Sequence, residues 1–125
     1  MTENEISYQI RGAIFEVYNT LGPGLLESVY EEALVFELRK RGFKVERQKE
    51  VPIIYKGELL MSSLRLDLLV EDSVVVELKS IKEFQDVHYK QVLTYLRLLH
   101  KKLGLLVNFN ESDITHGIRR VVNAL

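Results

Sequence analysis

The stretch LDLLVEDSVVVELKS, residues 66–80, decides the fold. Two apolar runs flank the polar triplet Glu71, Asp72 and Ser73, the pattern of a hairpin. Its second arm, VVVELK, is nearly all apolar, so it belongs in the middle of a sheet with both faces covered. Side chains alternate along a strand, so Glu77 and Lys79 share a face and Leu78 points the other way. A three-residue turn pairs Val70 with Val74 and brings Asp67 opposite Glu77. A two-residue turn would put Val76 opposite Asp67 instead. In the first register two carboxylates meet with Cβ atoms about 4.5–5.5 Å apart, and like charges so placed destabilise a sheet. Lys79, one step along, cannot neutralise both. Two readings fit these charges: a solvated ion pair at the strand ends, worth little, or a site built around a divalent cation. In the second, Asp67, Glu77 and the Leu78 carbonyl form one face of a Mg²⁺ site, and Lys79 orients a water or stabilises phosphate charge.

Working outward, Ile6, Ile10, Ala13, Ile14, Val17 and Leu21 recur at helical spacing over residues 5–20. LGPG (21–24) breaks that helix, and a second runs from about Leu25 to Arg41. Its apolar set is Leu26, Val29, Tyr30, Ala33, Leu34 and Leu38; Arg39, Lys40 and Arg41 suit its C-terminal dipole, and Gly42 its left-handed cap. The period then shortens towards two. FKVERQ, VPIIY and ELLMSSLRLDLLV read as strands ahead of VVVELK. Residues 86–101 return to helical spacing, with Val87, Val92, Tyr95, Leu96 and Leu99 facing the core. LGLLVNF (103–109) is a further buried strand, and HGIRRVVNAL fits either a strand or a short helix. The expected order is α-α-β-β-β-β-α-β, a mixed α/β domain whose antiparallel sheet gains a strand through a helical crossover.

The 125 residues suit one domain. Hydrophobic residues make up 46% and charged ones 28%, which argues against disorder or a fibrous repeat. A net charge of −1 gives no global attraction to nucleic acid. With no cysteine, disulfides and thiolate metal sites are excluded, and a cytoplasmic location is expected. No secretory signal is read at MTENEISYQI, and no apolar run approaches the roughly 20 residues of a membrane span. Phosphate loops, zinc constellations and nucleophile motifs do not occur.

Asp67 in RLDLLV, followed by Glu77 and Lys79 in VELK, resembles the PD-(D/E)xK nuclease superfamily. Gln91 and Tyr95 in QVLTYL are similar to the Q-x-x-x-Y helix motif of its RecB-type and lambda-exonuclease-like members. Glu27 matches the acid those nucleases bring to the metal from an early helix. GLLESVY, with Gly24, Glu27 and Tyr30, resembles more closely the GxxExxY proteins, over nearly the whole chain; MSSLRLD departs from them by lacking a glycine or tyrosine before the arginine. The resemblance implies an α/β restriction-endonuclease-like core, a mixed central sheet flanked by helices. It implies a metal-dependent nuclease using Mg²⁺ or Mn²⁺ on Glu27, Asp67, Glu77 and Leu78. Lys79 would act on the water, and Gln91 and Tyr95 would support the site or the scissile strand.

Several residues carry two readings. Tyr30 suits a core position with its hydroxyl at the rim, and Glu27 suits a first-turn acid. His88, Gln91 and Tyr95 form one helical stripe, either polar packing or contacts to a phosphate backbone. RKRGFKVERQK, including Lys44 and Arg47, is either a solvated face or a phosphate dock. Arg65 shares a face with Asp67 and could pair with a carboxylate or meet phosphate. The expected substrate is DNA rather than RNA, and a homodimer could supply surface that so small a domain lacks. The rival reading is a catalytically inactive module that binds nucleic acid or a protein. A toxin or defence component acting through a partner is a third.

Overall fold

The computed structural model describes all 125 residues. Helices α1 (Glu3–Leu21) and α2 (Glu27–Lys40) precede a hairpin of two long strands, β1 (Val45–Tyr55) and β2 (Glu58–Val70). β3 (Val74–Lys79), α3 (Asp86–Leu99) and β4 (Leu103–Asn108) follow. A 3-10 turn (Ile114–Gly117) then leads into β5 (Ile118–Val122). The sheet order is β1-β2-β3-β4-β5. β3 and β4 are parallel, joined over α3, and every other pair is antiparallel. This is an α/β restriction-endonuclease-like architecture, a five-stranded mixed sheet between helices. No helix is long and apolar enough to cross a membrane.

Two differences from the sequence reading have physical causes. FKVERQ and VPIIY are one strand, not two, so three strands precede α3. Pro52 would end a central strand, but β1 is the sheet edge, where a missing N–H costs no ladder bond. The chain's end resolves as strand β5, antiparallel to β4.

Alternation along β3 sorts the core into two layers. Val74, Val76 and Leu78 pack with Ile10, Ile14, Tyr30 and Leu34 under α1 and α2. Val75 packs with Val92, Tyr95 and Leu96 of α3. Leu26, Val29 and Val87, expected in the core, are exposed. Only α2 residues beyond its first turn reach the sheet: Tyr30, Glu31, Leu34, Val35 and Leu38 are buried. α2 ends as its sequence suggests. Gly42 is left-handed at φ 90°, Phe43 N–H donates to the Leu38 carbonyl and Gly42 N–H to that of Arg39, the paired bonds of a Schellman cap. Tyr30 stacks on Phe109 with ring centroids 4.3 Å apart. Its hydroxyl donates to the Gly22 carbonyl at 2.6 Å and accepts from Leu25 N–H at 3.1 Å, which pins the GPG turn and sets where α2 begins.

The segment after β3 is fixed from β4. Asn108, fully buried, accepts from Ile81 N–H at 3.0 Å and donates to the Ile81 carbonyl at 2.9 Å. Gly117 lies against the Asn108 backbone, so a Cβ there would run into the Asn108 carbonyl. Gly117→Ala is expected to lose about 1–3 kcal/mol of stability through this overpacking, read by urea denaturation; an unchanged midpoint would contradict the packing.

Candidate active site

The hairpin adopts the three-residue register, with Val70 opposite Val74, Leu69 opposite Val75 and Leu68 opposite Val76. Glu71 and Asp72 are both left-handed at φ 52°, which closes the turn without a glycine. One step further Asp67 meets Glu77, and there the backbone ladder gives way to a reciprocal bracket. Asp67 N–H donates to Glu77 Oε1 at 2.8 Å, and Leu78 N–H donates to Asp67 Oδ2 at 2.8 Å. Each carboxylate thus occupies the place of a strand carbonyl.

The alternation of the long hairpin changes phase at this level. Val45 packs under α1 and α2 while Val51 packs under α3, although an even spacing should keep them on one face. Leu68 and Leu66 divide in the same way. Between them lie Gln48 and Asp67, which face each other, because Arg47 pairs with Leu68 and Lys49 with Leu66. Gln48 has φ 47°, an uncommon conformation for a non-glycine residue and a mark of local strain. The phase change turns Asp67 away from the packed layers and towards Glu77.

Gln48 also reaches back to a helix. Its Nε2 donates to Asp67 Oδ1 at 3.2 Å and to Glu31 Oε1 at 2.5 Å. The other Glu31 oxygen accepts from Arg47 Nη2 at 2.9 Å and Nε at 3.3 Å. Glu31 and Gln48 are the site residues that sequence reasoning missed. Glu31 carried one signal, a charge beside Tyr30 on the face of α2 that turns inward; Gln48 carried none.

Electrostatics single out the pair. Glu77 is only 4% exposed. Burial, reinforced by the Asp67 charge, pushes its pKa up to about 8, and Lys79 offsets this only in part. Asp67 is also raised, first by burial, against the bonds from Leu78 and Gln48 and the field of Lys79. Tyr95, buried in α3, is pushed up to about 12 by burial and by both carboxylates, so its hydroxyl stays protonated. That hydroxyl donates to the Arg65 carbonyl at 3.3 Å, and Gln91 lies one turn earlier on α3. Two desolvated carboxylates short of positive charge form a donor set that suits a hard divalent cation.

The remaining residues fall at different distances from this centre. Lys79 is half-buried at the end of β3, within the field of both acids. Glu27 opens α2, exposed; its Oε1 accepts from Ser80 N–H at 3.2 Å, and its charge is felt at Glu77. No three acidic or histidine side chains converge closely enough to enclose an ion as they stand. Glu27 therefore lies near the pair without joining it. His88 Nδ1 accepts from Gln85 N–H at 2.9 Å and so caps α3. Arg47 is committed to Glu31, and Lys44 lies 3.7 Å from Glu46. Arg65 is exposed on β2, two residues from Asp67.

The sheet thus sets one buried and one half-buried carboxylate, with a lysine beside them, at the point where its strand pair opens. Residues 4–121 match the family model of the PD-(D/E)XK nuclease superfamily, and the chain belongs to that superfamily. No curated protein and no solved structure gives a match. Membership implies nucleic-acid binding and nuclease chemistry of the kind generally run with divalent metals.

Proposed function

We propose that this domain hydrolyses phosphodiester bonds in DNA with Mg²⁺ or Mn²⁺, and that within the superfamily it is one of the GxxExxY proteins. The observation that carries the reading is the Asp67–Glu77 pair, two carboxylates held side by side through each other's strand N–H groups, Glu77 buried and Asp67 half-buried. Asp67, Glu77 and the Leu78 carbonyl would hold the ion, with Glu27 completing the set by swinging from Ser80. The bound ion would supply charge neutralisation at the scissile phosphate and a more acidic water.

The chain's own residues do the rest. Gln48 and Leu78 N–H fix both oxygens of Asp67, and Glu31 fixes Gln48, so the carboxylate is held in place before substrate arrives. Lys79 directs its ammonium at the attacking water or at the phosphate oxygens where negative charge grows. Tyr95 ties β2 to α3 beside Asp67, and Gln91, one turn earlier on the same helix, would support the site or the scissile strand. Arg65, Lys44 and His88 are the contacts proposed for the phosphate backbone, and a homodimer would double that footprint.

The test is incubation of the purified protein with single-stranded, duplex and branched DNA, and with RNA, in Mg²⁺ and in Mn²⁺. Metal-dependent cleavage of a DNA form is expected. Cleavage of RNA alone would reverse the substrate assignment. Binding without cleavage in either metal would show instead a non-catalytic module of the same fold.

A further inference from the structure

The β1–β2 hairpin runs well past the rest of the sheet. β3 meets β2 only at Leu68–Val70, and at Arg65 the backbone carbonyl is taken by Tyr95. From Glu58 to Leu64 no strand lies on the side of β2 away from β1. Unpaired strand edges invite another chain, and proteins usually guard them with charge, proline or a bulge. The outer edge of β1 is guarded in this way, by Pro52, by the irregular Gln48 and by Arg47, Lys49 and Glu50. β5 presents Arg119 and Arg120. The free edge of β2, ELLMSSL, has one charge at its start and no proline.

The same segment exposes Leu59, Leu60 and Met61, the last with a relative exposure of 104%, and Ile54 and Tyr55 are exposed beside it at the end of β1. Apolar side chains left exposed along an unpaired strand edge mark a surface for association.

We propose that two copies of this chain join through the distal edge of β2, antiparallel about a two-fold axis, making one four-stranded ribbon from two hairpins. The occupant is a second copy because the edge is complementary to itself. An antiparallel pairing of identical edges places residues of like parity opposite one another, so every outward N–H meets a carbonyl. Full overlap of Glu58–Leu64 with itself puts the axis at its midpoint, Met61. Met61 then faces its own counterpart, Leu60 faces Ser62 and Leu59 faces Ser63. The surface stands apart from the carboxylate pair and does not depend on what that site does.

The axis gives a sharp test. Met61 is fully exposed, so a charge there leaves the fold intact, yet in the dimer it meets an identical charge. Light scattering after size exclusion is expected to give twice the chain mass of 14.5 kDa for the wild type, and once that mass for both Met61→Lys and Met61→Glu. An equal mixture of the two variants is expected to restore the dimer, which binding to an unrelated partner would not do. A wild type that stays monomeric from micromolar to submillimolar concentration would overturn the proposal. So would a dimer that survives both substitutions, since its interface would lie elsewhere.

Discussion

Lys79→Ala is expected to reduce DNA cleavage by about 10²–10³-fold, the usual effect of losing one group that stabilises developing charge. The fold should survive. Lys79 is the last residue of β3, half-buried, and its side chain makes no ion pair within bonding distance. What it supplies is field: it opposes the raised pKa of both Asp67 and Glu77. Removing a cation beside two carboxylates leaves divalent-ion binding as tight or tighter, because a like charge has gone. The variant should therefore keep Mn²⁺ affinity while losing turnover. A purely structural lysine would move both together with the melting temperature, and that result would remove Lys79 from the chemistry.

Glu77→Gln is expected to raise the melting temperature by about 5 °C or more at pH 8 in chelator, while abolishing metal-dependent cleavage. The sign follows from the shift. Glu77 ionises near 4.5 when unfolded and near 8 when folded. Between those values the native state holds a proton that the unfolded state has released, so stability falls as pH rises from about 4.5 to about 8. Asp67 acts in the same direction. Below pH 4.5 the penalty is absent and the variant gains nothing. Glutamine keeps the oxygen that accepts from Asp67 N–H and removes the charge, which is how a functional site trades stability for activity. Mn²⁺ should stabilise the wild type at pH 8 and leave the variant unmoved. A variant that is less stable than the wild type at pH 8 would show that the carboxylate is adequately compensated without metal.

Much of this site was legible because it is local. Asp67, Glu77 and Lys79 lie within fourteen residues across one turn, and the apolar runs on either side leave the register little freedom. Once Val70 faces Val74, the two acids must meet. Tyr95 is likewise placed by the 3.6-residue period of α3, which carries it to the β2 carbonyl at Arg65. Gln48 and Glu31 were invisible for the opposite reason. Their link spans seventeen residues and exists only because α2 docks beside β1 and the hairpin changes phase at Gln48. Arg47 shows the same limit: its charge reads as a phosphate contact, yet its guanidinium braces Glu31. The continuity of β1 through Pro52 was hidden because a proline reports a break unless the strand is known to be an edge.

Calorimetric titration of Mn²⁺ into the wild type and Asp67→Asn tests the central claim most directly. Asparagine retains an oxygen for Leu78 N–H, so the fold is preserved while the charge pair is broken. The wild type is expected to bind with release of protons at pH 7, since Glu77 must ionise to serve as a ligand, and Asp67→Asn to show no binding. No heat in either protein, with both folded, would contradict a metal site at Asp67 and Glu77.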